Sequence, residues 1–127
     1  YLASLYQQDA NPFLLHGDLH YWNVHIQRGQ LYVLDFEDML IGFPVHDIAI
    51  SLYYLRDEPR YGELASAFQA GYASVRAWPH LPPEQMRSLW LARMTNFVNY
   101  AATAFGDDDA AREYISARCE EIEKYLT

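Results

Sequence analysis

Two short runs of β-favouring residues, separated by a polar turn, stand out early in the chain. Val24–Gln27 and Leu31–Leu34 are rich in branched and aromatic side chains, and Arg28, Gly29 and Gln30 lie between them. Such runs on both sides of a short glycine-containing segment are typical of a β-hairpin. Gly29 can adopt the positive φ that a tight turn needs. The pattern therefore predicts a hairpin that turns at Gly29.

Helical spacing of apolar residues replaces this pattern after Pro44. Four helical stretches are predicted at 47–56, 61–75, 82–105 and, behind an acidic cap at 107–109, a last one that reaches Leu126. We therefore expect a mainly α (α+β) fold, with one hairpin followed by about four helices in a single domain over residues 1–127.

The residues before the hairpin give a weaker pattern. Residues 1–8 resemble the end of a helix that Asn11-Pro12 terminates. Phe13–Leu15 is a short apolar stretch that leads into His16.

The net charge of the chain limits the kinds of molecule that it is expected to bind. The chain has 127 residues, of which 51 % are hydrophobic, and a formal net charge of -8. This argues against nucleic acid or an anionic membrane, because both are bound through basic surfaces. It would suit a cationic substrate, although ordinary solubility explains an acidic surface equally well. The single cysteine, Cys119, excludes an internal disulfide, and a reducing, cytoplasmic location is expected.

Polar residues cluster around the predicted hairpin in a way that suggests a metal site. If the hairpin is centred on Gly29, Asn23 lies directly opposite Asp35, and opposed side chains are roughly 5 Å apart at Cβ. A carboxylate and an amide oxygen so placed can share one Mg²⁺, which uses few protein oxygens. Asp18 lies in the loop that leads to the same end of the hairpin. This arrangement fits phosphoryl transfer, in which one Asp accepts a hydroxyl proton while an Asn and a second Asp hold the metal.

The motif from His16 to Asn23 (His-Gly-Asp-Leu-His-Tyr-Trp-Asn), followed by Asp35-Phe36-Glu37-Asp38 and by Asp47-Ile48-Ala49, resembles the aminoglycoside phosphotransferase and choline kinase superfamily. The resemblance is strong over about residues 13–55 and otherwise rests on the helical architecture. It implies the C-terminal lobe of a protein-kinase-like fold, with ATP or GTP as co-substrate. By this resemblance Asp18 is the catalytic base and Asn23 and Asp35 bind Mg²⁺. The alternative is that all three are turn and cap residues of the hairpin.

Further roles are implied only by the resemblance. His20 stands where protein kinases usually carry a lysine and is expected near the phosphates, and Glu37 and Asp38 are expected to assist a second metal or the substrate. His16 and Asp47 are expected to brace the loop by hydrogen bonds. The alternatives are structural histidines and a solvated acidic loop.

Two parts of a working kinase are absent from the sequence. It contains no Gly-x-Gly-x-x-Gly motif, and its only lysine is Lys124. We therefore expect that the N-terminal nucleotide-clamping lobe is missing and that this chain alone phosphorylates nothing at a useful rate. A domain taken from a longer enzyme, a gene read too short and a natural remnant remain open as explanations.

Several functions are compatible with these residues. The leading hypothesis is transfer of a phosphoryl group to a small hydroxyl compound, such as an aminoglycoside, a choline-like alcohol, homoserine or a sugar, with a protein hydroxyl as a further option. The second is a non-catalytic kinase-like module that binds a ligand or partner. A remote third is a non-haem iron site formed by His16, Asp18 and His80.

Overall fold

The structure is a computed structural model that describes residues 12–106 and 108–126. The helix predicted at residues 1–8 lies outside the described residues. The chain divides into two compact units, Tyr1–Pro82 and Pro83–Thr127. Among the described residues, the first contains the strands and two α-helices, and the second contains two long α-helices. Whether the chain acts as a single domain stays a prediction.

Two small antiparallel sheets form the strand part of the first unit. Strand β1 (Phe13–Leu15) pairs with β4 (Leu40–Gly42), and β2 (Val24–Gln27) pairs with β3 (Gln30–Val33). The β2–β3 pair confirms the predicted hairpin. The β1–β4 pair was not predicted, because strands of three residues are too short to show a periodicity.

The hairpin register differs by one residue from the prediction. Arg28 and Gly29 both have positive φ, 52° and 76°, so the turn contains two residues and Gln30 belongs to the strand. Val24 therefore pairs with Val33, and the main-chain N–H of Leu34 donates to the carbonyl of Asn23 at 2.9 Å. The prediction that Asn23 lies directly opposite Asp35 is wrong. Gly29 alone was expected to adopt the left-handed conformation, and a slip of one residue exchanges the two faces of a strand.

Helix α1 (Pro44–Tyr53) is largely buried and contacts β1. It begins three residues before the predicted start at Asp47, with Pro44 in its first turn, where proline is well tolerated. Every residue from Ile48 to Tyr53 is buried. Helix α2 (Tyr61–Ala73) comes next along the chain and has no buried residue. The core of this unit therefore lies between α1 and the β1–β4 sheet.

The second unit consists of α3 (Pro83–Ala104) packed against α4 (Asp109–Leu126). Asp108 accepts a hydrogen bond from the N–H of Ala111 at 2.8 Å, which confirms an acidic cap for the last helix. The four helices and small sheets of the described residues confirm the mainly α prediction. None of the described helices is long and apolar enough to cross a bilayer.

Candidate functional site

Helix α1 holds the loop after β1 through one carboxylate. The two carboxylate oxygens of Asp47 accept hydrogen bonds from the main-chain N–H groups of His16 and Gly17, at 2.8 and 2.9 Å. These are charge-assisted contacts to two consecutive donors of the loop. The arrangement is the one that a bracing role for Asp47 requires.

The side chain of His16 joins this loop to the end of the hairpin. Its Nε2 donates to the carbonyl of Leu34 at 2.8 Å, and its Nδ1 accepts from the N–H of Asp18 at 3.3 Å. A single tautomer, protonated at Nε2, satisfies both contacts. The ring is buried and lies 4.8 Å from the ring of Phe36. Because both nitrogens are engaged in structural contacts, the geometry favours bracing over chemistry for His16.

Asp18 and His20 form a close pair in the loop. Nε2 of His20 lies 3.2 Å from Oδ2 of Asp18, and 19 % of the Asp18 side chain remains exposed. The His20 ring is buried and packs against the rings of Tyr54, at 4.3 Å, and Trp22, at 5.5 Å. Its Nδ1 is buried without a hydrogen-bond partner among the described residues. The structure thus places His20 beside the carboxylate of Asp18, which a solute can still reach.

The side chain of Asn23 is hydrogen-bonded to the main chain of Asp18. Its Nδ2 donates to the main-chain carbonyl of Asp18 at 3.0 Å, and the side chain is buried. Since the amide nitrogen is engaged, Oδ1 is the atom with which Asn23 could bind a cation. The main chain of Leu34 links this residue to His16, because its N–H donates to Asn23 and its carbonyl accepts from His16.

The acidic segment after β3 is more exposed than the loop. Asp35 comes directly after Leu34 and has a φ of 62°, a conformation that Asp tolerates better than most residues. Asp35, Glu37 and Asp38 are all exposed. The main chain of Asp38 nevertheless lies close to Gly17, whose φ is 83°, and a Cβ built on Gly17 would overlap the Asp38 carbonyl. The loop and the acidic segment are therefore in main-chain contact.

The donor set of the site suits a hard cation. Within residues 12–106 and 108–126, no group of three or more His, Cys, Asp or Glu side chains is placed to hold a metal. The oxygens of Asp18, Asn23 and Asp35 are nonetheless the ligand type that Mg²⁺ prefers, and Mg²⁺ needs only one or two protein carboxylates beside substrate phosphates. By residue type the oxygens of Asn23 and Asp35 suit this ion, and the assignment of these two residues as its ligands stays a prediction.

Three contributors to this site were not predicted from the sequence. Ser51 donates from Oγ to the carbonyl of Leu19, Tyr54 packs on His20, and Leu34 acts through its main chain. Ser51 lies four residues after Asp47 and so on the same helix face, which is a signal the sequence does contain. A main-chain role such as that of Leu34 has no signal in residue type.

Comparison with known proteins identifies the fold around this site. The family described as "Phosphotransferase enzyme family" (APH) matches residues 1–87. No curated protein matches the chain. A solved structure, "Amicoumacin kinase hAmiN in complex with AMP-PNP, Ca2+ and Ami", is similar with a TM-score of 0.79 and 22 % identity. The match covers 97 % of this chain and 41 % of that kinase. The described fold is therefore the mainly α C-terminal lobe of a kinase-like protein.

Proposed function

The chain belongs to the phosphotransferase enzyme family, and we propose that it is the catalytic and metal-binding lobe of a kinase. This enzyme transfers the γ-phosphoryl group of ATP or GTP to a hydroxyl group of a small molecule. The observation that carries the proposal is that His16, His20 and Asn23 all contact Asp18. Asp47 in turn holds the main chain of the two residues before Asp18. A carboxylate that is held this firmly and remains reachable is what positioned proton acceptance requires.

In the proposed reaction Asp18 accepts the proton of the acceptor hydroxyl. The carboxylate of Asp18 lies against Nε2 of His20 and is 19 % exposed, so that an acceptor hydroxyl can reach it. As the acceptor oxygen forms its bond to the γ-phosphorus, the bond from phosphorus to the bridging β–γ oxygen breaks and the nucleoside diphosphate leaves. The proton passes to the carboxylate of Asp18.

Mg²⁺ is the metal of the proposal, with Asn23 Oδ1 and the carboxylate of Asp35 as its protein ligands. When bound, the ion neutralises charge that develops on the phosphates. The close Asp18–His20 pair supports a role for His20 in holding the base, while its predicted contact with phosphate remains part of the proposal. The exposed carboxylates of Glu37 and Asp38 are assigned to a second metal or to the substrate.

The acceptor class rests on charge and on exposed aromatic rings. Tyr21 and Trp22 are exposed, and Trp22 packs edge-on against the His20 ring that touches Asp18. Aromatic faces attract cations, and the chain carries a net charge of -8. A hydroxyl compound with a positive group, such as an aminoglycoside or a choline-like alcohol, therefore fits best, with homoserine and sugars as alternatives. We assign the enzyme to the cytoplasm.

The proposal needs a second lobe to clamp the nucleotide. The sequence has one lysine, Lys124, and no glycine-rich phosphate loop. The chain spans 41 % of the similar kinase structure. We therefore propose that the N-terminal lobe acts as the partner of this chain and that the chain alone has no useful turnover.

Replacing Asp18 by Asn tests the proposal in the complete protein that the gene encodes. We expect turnover to fall by about 10³-fold, because the base is lost, while Mg²⁺-nucleotide affinity stays within about twofold. Asp57→Asn is the matched control, since Asp57 lies after α1 with 83 % of its side chain exposed and contacts Arg56. Phosphoryl transfer is measured with a panel of hydroxyl compounds and by nucleotide hydrolysis.

Each outcome of this experiment separates two interpretations. Normal turnover by Asp18→Asn would show that the base is another residue. A wild-type protein that neither turns over nor binds Mg²⁺-nucleotide would exclude the kinase and leave the non-catalytic binding module.

A further inference from the structure

Ser51, a buried residue of α1, is hydrogen-bonded to the catalytic loop in a contact that the proposed mechanism does not use. Its Oγ donates to the carbonyl of Leu19 at 2.6 Å, across 32 residues of sequence, and the residue is 8 % exposed. It lies one helical turn after Asp47 on α1. One face of a single helix therefore reaches the loop at two places.

These two contacts lie on either side of the candidate base. Asp47 accepts from the N–H of Gly17, the residue before Asp18, and Ser51 donates to the carbonyl of Leu19, the residue after it. The carboxylate of Asp47 faces a main-chain donor, and the hydroxyl of Ser51 faces a main-chain acceptor. Helix α1 thus fixes the backbone immediately before and immediately after the carboxylate.

The contact of Ser51 is not the default for a helical serine. Serine hydroxyls in helices commonly bond to the carbonyl four residues earlier. Ser66 and Ser88 do this, donating to Gly62 at 2.7 Å and to Glu84 at 2.9 Å. Ser51 instead donates to a carbonyl of the loop, although a local partner would satisfy its buried hydroxyl. The long-range bond is therefore a specific link between α1 and the loop.

The hydrogen bond to the Leu19 carbonyl also constrains the next residue, His20. That carbonyl and the N–H of His20 belong to one planar peptide group. The N–H of His20 donates to the carbonyl of Asp18 at 3.0 Å, and Nδ2 of Asn23 donates to the same oxygen at 3.0 Å. The hydroxyl of Ser51 thus orients a peptide group that is hydrogen-bonded to Asp18, the candidate base. Asp18 is in turn hydrogen-bonded to Asn23, the candidate metal ligand.

We propose that Ser51 is a positioning residue, which acts through the Leu19–His20 peptide to aim the carboxylate of Asp18 at the acceptor hydroxyl. The role rests on the proposed phosphotransferase function. A loop that is free to turn at Leu19 would keep its nucleotide contacts but present the base badly, so Ser51 affects the rate of the chemical step rather than nucleotide binding.

Four variants of the complete protein test this role. Ser51→Ala removes the hydroxyl, Ser51→Cys keeps the volume with a weak donor, and Ser51→Thr restores the hydroxyl. Ser66→Ala is the matched control, because it removes a serine hydroxyl from the neighbouring helix α2. Proton–nitrogen–carbon NMR monitors the Leu19 carbonyl and the His20 amide, and steady-state kinetics separates kcat from the nucleotide KM, both at a temperature where every variant is folded.

We expect Ser51→Ala and Ser51→Cys to shift the Leu19 carbonyl and His20 amide signals and to lower kcat by about tenfold to hundredfold, as for a displaced catalytic group, with the nucleotide KM within about twofold. Ser51→Thr should recover most of kcat, and Ser66→Ala should change neither quantity. Unshifted loop signals, or shifted signals with wild-type kcat, overturn the role of Ser51 alone. A wild-type protein that neither turns over nor binds Mg²⁺-nucleotide overturns the phosphotransferase proposal and this role with it.

Discussion

The two small sheets of the first unit are similar in size but differ in support. In the β1–β4 sheet, Leu15 and Gly42 are buried, and β1 contacts α1. In the β2–β3 hairpin, by contrast, Ile26 is 77 % exposed and its cross-strand partner Leu31 is exposed as well. Isolated two-stranded hairpins are at best marginally stable in water. The number of paired residues therefore matters less for stability than the surface that one face can bury.

This difference bears on how the loop from His16 to Asn23 is attached. The loop leaves the supported strand β1 at His16, and α1 then holds it through Asp47 and Ser51. The hairpin joins the loop at its open end through hydrogen bonds of Asn23 and Leu34. Substitutions in the supported sheet should therefore cost far more stability than equivalent substitutions in the hairpin.

The largest contrast is expected between two glycines that both have positive φ. Gly17→Ala should lower the free energy of unfolding by about 4 kcal/mol, since a Cβ meets the Asp38 carbonyl and the left-handed conformation adds its own cost. Gly29→Ala should cost only about 1 kcal/mol, because no atom lies within 4 Å of the added Cβ. Urea unfolding measures both. Equal losses would contradict the difference in support.

Adjacent leucines in β1 give the next contrast. Leu15 is 5 % exposed and Leu14 is 66 % exposed, because neighbouring side chains of a strand point to opposite faces. Leu15→Ala should lower the free energy of unfolding by about 3 kcal/mol. Leu14→Ala should change it by less than about 0.5 kcal/mol. A large loss for Leu14→Ala would show that the outer face of β1 is covered in solution.

A smaller loss of stability is expected when the carboxylate of Asp47, which holds the loop, is replaced. Asp47→Asn leaves one acceptor where two N–H groups need one each, and we expect a loss of about 2 kcal/mol in the free energy of unfolding. Thermal and urea unfolding measure it, with Asp57→Asn as a control expected to stay within about 0.5 kcal/mol. An unchanged free energy of unfolding for Asp47→Asn would mean that the loop does not depend on the negative charge of Asp47.

The smallest effect is expected in the hairpin itself. Ile26→Thr keeps a β-branched side chain on an exposed position, so the free energy of unfolding should change by less than about 0.5 kcal/mol. Urea unfolding again measures this. A loss comparable to that of Leu15→Ala would show that the exposed face of the hairpin is packed against something, and the contrast between the sheets would fail.

The sequence predicted most of the secondary-structure elements, but not the hairpin register or the contacts between distant residues. Residue type and spacing were enough for the hairpin and for the helices after it, because each carries a periodic or compositional signal. The loop from His16 to Asn23 was identified by the resemblance of its motif to a known family. The register was wrong because Arg28 adopts a positive φ that its residue type does not suggest. Strand β4 was missed because three residues carry no period. Ser51 was missed because its partner, the Leu19 carbonyl, lies 32 residues away.

The bridge made by Leu34 has a consequence for how relatives of this chain should be compared. Both of its polar main-chain atoms are used, the N–H by Asn23 and the carbonyl by His16, while its side chain is exposed. Position 34 can therefore accept many side chains and exclude proline, which has no N–H to donate. A position that varies freely in an alignment can thus still be one of the joints that keep the site assembled.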